Sequence, residues 1–259
     1  YVSSRSESMA ALGVLFSLWF ALKDRQWASW ISYGLGLLAK SQAIVLLPLL
    51  WVVRPIRTGS VRPYIPYGLI SLLFLSVIYG NEFLPRSLAQ EVRPLTVQLY
   101  TQMKALVYYL YLFAMPYELS IEHPLVESPT VAPVVWLSFT LLASIVFMAL
   151  ASRRWHARAV LFWMVSMSVT VLVPLNVLVN EHRIYLGATG LCASIVGMGG
   201  LCRRSVRYAS LGGLFLMAIL GWQRNAVWET PLSLWSDAVN KAPNAFRAQS
   251  NLGYALIER

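Results

Sequence analysis

Three short polar clusters, each at the mouth of an apolar run, hold the side chains best suited to chemistry: Ser3-Ser4-Arg5-Ser6-Glu7, Lys40-Ser41-Gln42 and Asn180-Glu181-His182-Arg183-Ile184-Tyr185. Arg183 offers a planar fork for phosphate oxygens and Lys40 a point charge for the same group. Glu181 can orient Arg183 or accept a proton, with Tyr185, His182, Arg5 and Glu7 in support. Together they describe a site for an anionic lipid headgroup, since charges at the mouths of membrane helices are costly and mark function. Plainer readings stand beside this one. Arg5 and Glu7 also suit a solvated helix start, Lys40 a side chain snorkelling to the interface, and Glu181 with Arg183 a structural salt bridge. His182 alone reads as a hydrogen-bonded surface residue rather than a metal ligand. No metal-ligand spacing, nucleophile elbow, phosphate loop or dinucleotide fingerprint occurs. His123, between Glu122 and Pro124, sits in a loop with no partner visible in sequence.

The elements that position these residues are set by the solvent. The chain is 58% apolar and only 12% charged, whereas a soluble domain carries about a quarter charged residues, so the expected solvent is the bilayer. The net charge of +10 does not imply nucleic acid, because the cations cluster in short loops beside apolar runs. Those runs are residues 8–22, 27–39, 41–53, 66–80, 97–115, 131–150, 159–179, 184–201 and 208–222. Several fall short of the roughly 20 residues a straight crossing needs, so some are broken or re-entrant, most clearly the pair around Lys40. Cys192 and Cys202 lie in or at the end of one run and read as packing residues rather than a disulfide or metal framework. Tyr1 with no signal-peptide pattern after it reads as a cut N-terminus.

Charge gives sidedness. The loops 23–25, 54–62, 153–158 and 203–207 hold eleven of the 21 cations and, among the acids, only Asp24. They are expected to be cytoplasmic, which puts residues 3–7, 81–96, 118–127, 180–183 and the tail from Gln223 outside. Parity then requires that 97–115 does not cross. Its Gln98, Tyr100, Gln102, Lys104, Tyr108, Tyr109 and Tyr111 suit a helix lying in the exterior interface or dipping into it.

After Glu229 the pattern becomes water-soluble: a short helix, a stop at Pro243, and a second amphipathic helix. Leu252-Gly253 follows Pro243 at the spacing that separates the closing proline of one tetratricopeptide repeat from the Leu-Gly pair of the next. Gly253 is expected to let helices pack closely, and a single repeat implies that others follow. The expected fold is all-α: a polytopic membrane helix bundle over residues 1–222, then a linker and the start of a tetratricopeptide α-solenoid over 223–259.

Tyr1-Val2-Ser3-Ser4-Arg5-Ser6-Glu7, Gly36-Leu37-Leu38-Ala39-Lys40-Ser41-Gln42, Tyr109-Leu110-Tyr111-Leu112-Phe113-Ala114-Met115-Pro116 and Glu181-His182-Arg183-Ile184-Tyr185-Leu186 resemble successive landmarks of the transmembrane-and-tetratricopeptide-repeat O-mannosyltransferases. The likeness is strongest to their bacterial relatives, polytopic glycosyltransferases of the GT-C class. It implies a sugar donor linked to polyprenyl phosphate, transfer to a hydroxyl (Ser or Thr of a protein) on the exterior face of a bacterial inner membrane, and repeats that hold the acceptor. Arg183 and Lys40 would stabilise the leaving phosphate. The main catalytic carboxylate is expected upstream of Tyr1, in an exterior loop between the first two spans of that class. The chain departs from the family in placing His182 between the acid and Arg183, and Gly187 where a proline is expected. No cofactor beyond the lipid-linked donor is specified, and metal dependence is left open. Rival readings are an O-antigen ligase or polysaccharide polymerase, and a non-catalytic membrane-anchored repeat scaffold.

The charge asymmetry makes a direct prediction. A cysteine introduced by Arg154→Cys should resist a membrane-impermeant thiol reagent added outside intact cells, and labelling from outside would overturn the sidedness.

Overall fold

Apolar runs become helices whose ends fall where charge or backbone demands. A computed structural model describes residues 2–53, 61–82, 85–86, 92–152, 154–172, 178–199 and 204–258. These are all-helical, 83% in helix and without a strand. The main helices are α1 (Val2–Leu22), α2 (Gln26–Ala39), α3 (Leu46–Val53), α4 (Ile65–Gly80), α5 (Leu95–Ala114), α6 (Pro133–Ala151), α7 (Trp155–Leu172), α8 (Ile184–Gly199), α9 (Arg204–Asn225), α10 (Pro231–Lys241) and α11 (Phe246–Ile257). The break expected at Lys40 is present: its backbone is extended (φ −163°, ψ 139°), and a 3-10 turn, Ser41–Val45, separates α2 from α3. α1 starts inside the first polar cluster, so Arg5 and Glu7 are helical. α7 is described as far as Leu172, and residues 173–177 of the expected run 159–179 lie outside the described residues. The basic positions 54–60, 153 and 201–203 and Cys202 also lie outside them. Cys192 is exposed on α8, not packed inside, because the buried face of α8 is its small-residue face against α7.

Close approach of backbones organises the bundle. α1 and α2 run antiparallel, and a Cβ on Gly13 would stand 2.6 Å from the Cα of Gly36. One helical step further along, Ser17 and Ser29 hydroxyls lie 2.9 Å apart, and Ser29 meets the Tyr67 hydroxyl at 2.6 Å. Tyr33 reaches Ser71 at 2.5 Å, so α4 runs parallel to α2. Small residues that let helices touch, with hydroxyls satisfying one another, are the packing used where no hydrophobic drive separates helix from solvent. The pair α7 and α8 repeats the device: Gly190 abuts the Ala159 carbonyl and Gly197 abuts Trp155. A Cβ at Gly187 would meet Trp163 at 2.9 Å, so a side chain there would have to displace a buried Trp ring.

These pairings sort the helix ends. Glu7, Lys40 and the 3-10 turn Glu181–Arg183 gather at one end. The turn after α1, the start of α4 at Arg62, and Arg154 with Arg158 at the start of α7 fall at the other. Two helices, Arg62–Gly80 and Pro133–Ala151, are long and apolar enough to cross a membrane, and only 11% and 22% of their apolar windows are buried. A soluble protein hides such helices in its core; here Leu72, Leu73, Leu137 and Phe147 face outward.

α5 lies against the end of α7. Its polar stripe was expected to face the interface, but Gln98 and Gln102 are buried: Gln98 donates to the Val171 carbonyl at 3.1 Å and Gln102 to that of Leu178 at 3.5 Å. Both amides thus tie α5 to main-chain carbonyls on either side of residues 173–177. Residues 119–132, outside any helix, then return antiparallel along α5, tied by Tyr108 to His123 (3.2 Å), Lys104 to the Val126 carbonyl (2.8 Å) and the Ser128 amide to Thr101 (3.0 Å).

Gly13→Ala should lower stability by about 1–3 kcal/mol through overpacking, while Gly34→Ala, whose Cβ would meet nothing within 4 Å, should not. Thermal unfolding in detergent reads the difference; equal melting of the two variants would deny the Gly13–Gly36 approach.

Candidate functional site

The extended residue at 40 is what lets two helices and a turn converge. It ends α2, with the Lys40 amide donating to the Gly36 carbonyl at 3.0 Å, and frees its side chain to form an ion pair with Glu7 of α1. Glu7 is 6% exposed, and a buried carboxylate needs such a partner. The third segment is the turn Glu181–Arg183, capped by Asn180, whose side-chain oxygen accepts the His182 amide at 3.2 Å. Arg183 is buried and its charge lies beside the Tyr109 hydroxyl of α5. That hydroxyl also accepts the Asn180 amide at 2.8 Å and donates to the Asn180 carbonyl at 3.1 Å.

The three sequence clusters therefore meet. Glu7, Gln42, His182, Arg183 and Tyr185 border one cavity of about 10 Å³, room for a single water. In this arrangement Lys40 is engaged by Glu7 and Arg183 by Tyr109. Arg5 is exposed on α1 and outside that lining. Tyr185 is 47% exposed, its ring 6.4 Å from that of His182.

His182 also borders a second, open cleft of about 310 Å³ between residues 120–121, residues 180–182, Trp228 and Arg247. Burial holds the His182 ring below the ordinary histidine value; Glu7 and Glu181 pull it up, and Lys40 and Arg183 push it further down. Glu181 accepts the Ser120 amide and has His123 Nε2 at 3.4 Å. This His123 contact has no local signal, because its partners lie on α5 and on the turn before α8. Among the described residues no three of His, Cys, Asp and Glu gather to hold a metal ion.

The tail forms the outer wall. Thr230 caps α10 through a reciprocal box with Ser233, and Pro231 opens the helix where its missing amide costs nothing. Lys241 at its far end donates to the carbonyls of Leu119 (2.8 Å) and Tyr117 (3.3 Å). Arg247 of α11 lies 3.6 Å from Glu122 and over the Trp235 ring at 5.7 Å. Gly253, expected to admit a close neighbour, has open space around it.

Asp237 anchors this hairpin, with Arg224 at 2.6 Å and Lys241 at 3.1 Å. Burial pushes its carboxyl up, but the hydrogen bonds and charges of Arg224 and Lys241 outweigh that and hold it below the ordinary value. A depressed folded pKa stabilises above the unfolded value of about 3.9 and is lost as pH falls through the folded one. The protection factor of α10, with the intrinsic exchange rate divided out, should therefore fall as pH drops below about 4, and Asp237→Asn should remove that added acid sensitivity.

Comparison with protein-family models, characterised proteins and solved structures finds no match. What the site does must come from its own residues.

Proposed function

We propose that this chain belongs to a polytopic membrane glycosyltransferase that moves a sugar from a polyprenyl-phosphate donor to an acceptor hydroxyl, Ser or Thr of a protein. The observation that carries the proposal is the convergence of Glu7 with Lys40 and of His182 with Arg183 at one end of the bundle, opposite the basic turns. Cytoplasmic cations at one end and a charged cluster at the other fit a protein of the inner membrane whose chemistry faces the exterior. The outward apolar faces of α4 and α6 support a lipid surround. Non-helical backbone within hydrocarbon is tolerated only where protein or water covers it, so the return of 119–132 along α5 supports a helix that lies at the exterior face and does not cross.

Inverting transfer requires an acceptor that loses its proton and a leaving phosphate whose growing charge is stabilised. Arg183 and Lys40 take the second role, exchanging Tyr109 and Glu7 for phosphate oxygens as the donor enters. The hairpin α10–α11 is the start of a repeat surface for the acceptor, as stacked helix pairs make concave peptide sites.

The tightness of the 10 Å³ cavity favours a second reading, a membrane-anchored scaffold in which the cluster is only structural. Activity separates the two. Arg183→Lys should slow transfer from a polyprenyl-phosphate sugar by about 1–3 kcal/mol of barrier, since a point charge cannot replace a bidentate fork. Arg183→Ala should cost more, and Lys40→Ala should also slow transfer. Wild-type rates for Arg183→Ala and Lys40→Ala in folded protein would leave the scaffold.

A further inference from the structure

Donor binding by Arg183 and Lys40 leaves the open cleft beside them without a task. At about 310 Å³ it holds a functional group and its surroundings, not a lone water of about 30 Å³. One wall comes from the bundle, with Glu181; the other comes from the tail, with Trp228 and Arg247. Glu181 is the carboxylate that lines it; Glu7 pairs with Lys40 in the closed cavity, and Glu122 lies against Arg247 with its second oxygen buried.

Behind Glu181 stands a donor with no other use. The His123 side chain is 2% exposed, and its Nε2 is buried without a hydrogen bond, 3.4 Å from Glu181 Oε1. Nδ1 lies 3.2 Å from the Tyr108 hydroxyl. When the phenol donates to Nδ1, the ring proton belongs on Nε2, beside the carboxylate but out of hydrogen-bonding alignment with it; which nitrogen is protonated follows from the bond the other makes. The Ser120 amide holds the same oxygen, Oε1. Catalytic hydrogen bonds that are long in the free protein tighten once substrate binds.

We infer that this cleft receives the acceptor hydroxyl, that Glu181 is the catalytic residue that takes its proton, and that His123 is a positioning residue for Glu181. The inference rests on the glycosyl-transfer reading. The acceptor oxygen forms the new bond to the anomeric carbon while its proton passes to Glu181. The bond from that carbon to the donor's phosphate oxygen breaks, and the electron pair leaves on the polyprenyl phosphate. Trp228 and Arg247 close the cleft from outside, so the tail supplies part of the acceptor site itself.

The test uses the full chain in proteoliposomes with a polyprenyl-phosphate hexose and a Ser/Thr peptide, following kcat and the acceptor KM. Glu181→Gln should lower kcat by on the order of 100-fold or more, the range of a lost general base. His123→Phe keeps ring volume against Tyr108 but has no donor, and should lower kcat by on the order of 10-fold, the effect of losing an orienting partner, with the acceptor KM little changed. His123→Gln, whose amide nitrogen reaches the Nε2 position, should restore most of that loss. Wild-type kcat in Glu181→Gln would give the proton to a different carboxylate, such as the one the family resemblance puts upstream of Tyr1, and overturn the proposal. Equal loss in the Phe and Gln variants of His123, with circular dichroism unchanged, would overturn the positioning role. Failure of the wild type to transfer from any such donor would instead refute the glycosyltransferase reading, and this proposal with it.

Discussion

The ion pair between Lys40 and Glu7 is the contact on which this end of the molecule depends. It joins α1 to the point where α2 stops, and it is possible only because Gly13 and Gly36 bring the two helices into backbone contact. Glu7 is the buried member, so removing Lys40 would leave its carboxylate uncompensated away from water. The turn Glu181–Arg183 packs on the surface that this pair completes. Arg183 and Tyr109 then carry the constraint on to α5, and Asn180 ties the same hydroxyl to the backbone.

Much of this was legible in the sequence because it depends on local rules. Apolar runs bounded by charge gave the helices, and the polar interruption Lys40-Ser41-Gln42 gave the break, now seen as one extended residue and a 3-10 turn. The meeting of residues 7, 40 and 183 could be anticipated as a shared side, though not as a cavity closed to the size of one water. What stayed hidden is set by tertiary approach. Gly187 is needed because Trp163 of another helix fills the space its Cβ would take. Gln98 and Gln102 point inward because the carbonyls of Val171 and Leu178 lie beside them. His123 and Glu181 are far apart in the chain and meet through the return of 119–132 along α5, a path no periodicity encodes.

The tail illustrates the limit from the other side. Pro243 does end a helix and the two segments do form a hairpin, as the spacing implied, with α10 ending at Lys241 and α11 starting at Phe246. The contacts that matter most for its place are long-range: Arg224 to Asp237, Lys241 to carbonyls of the 116–119 segment, and Arg247 to Glu122. Each pairs residues whose types are ordinary for a solvated helix face.

The Leu119 carbonyl gripped by Lys241 and the Ser120 amide that binds Glu181 belong to one and the same peptide group. In a planar trans peptide these two atoms point in opposite directions, so an ammonium sits at the negative end of its dipole and a carboxylate at the positive end. That dipole is about 3.5 D, and polarising it at one end strengthens the hydrogen bond at the other. A single resonance-stiffened bond thus couples the charge state of the tail helix to the charge of Glu181, with no side chain in between.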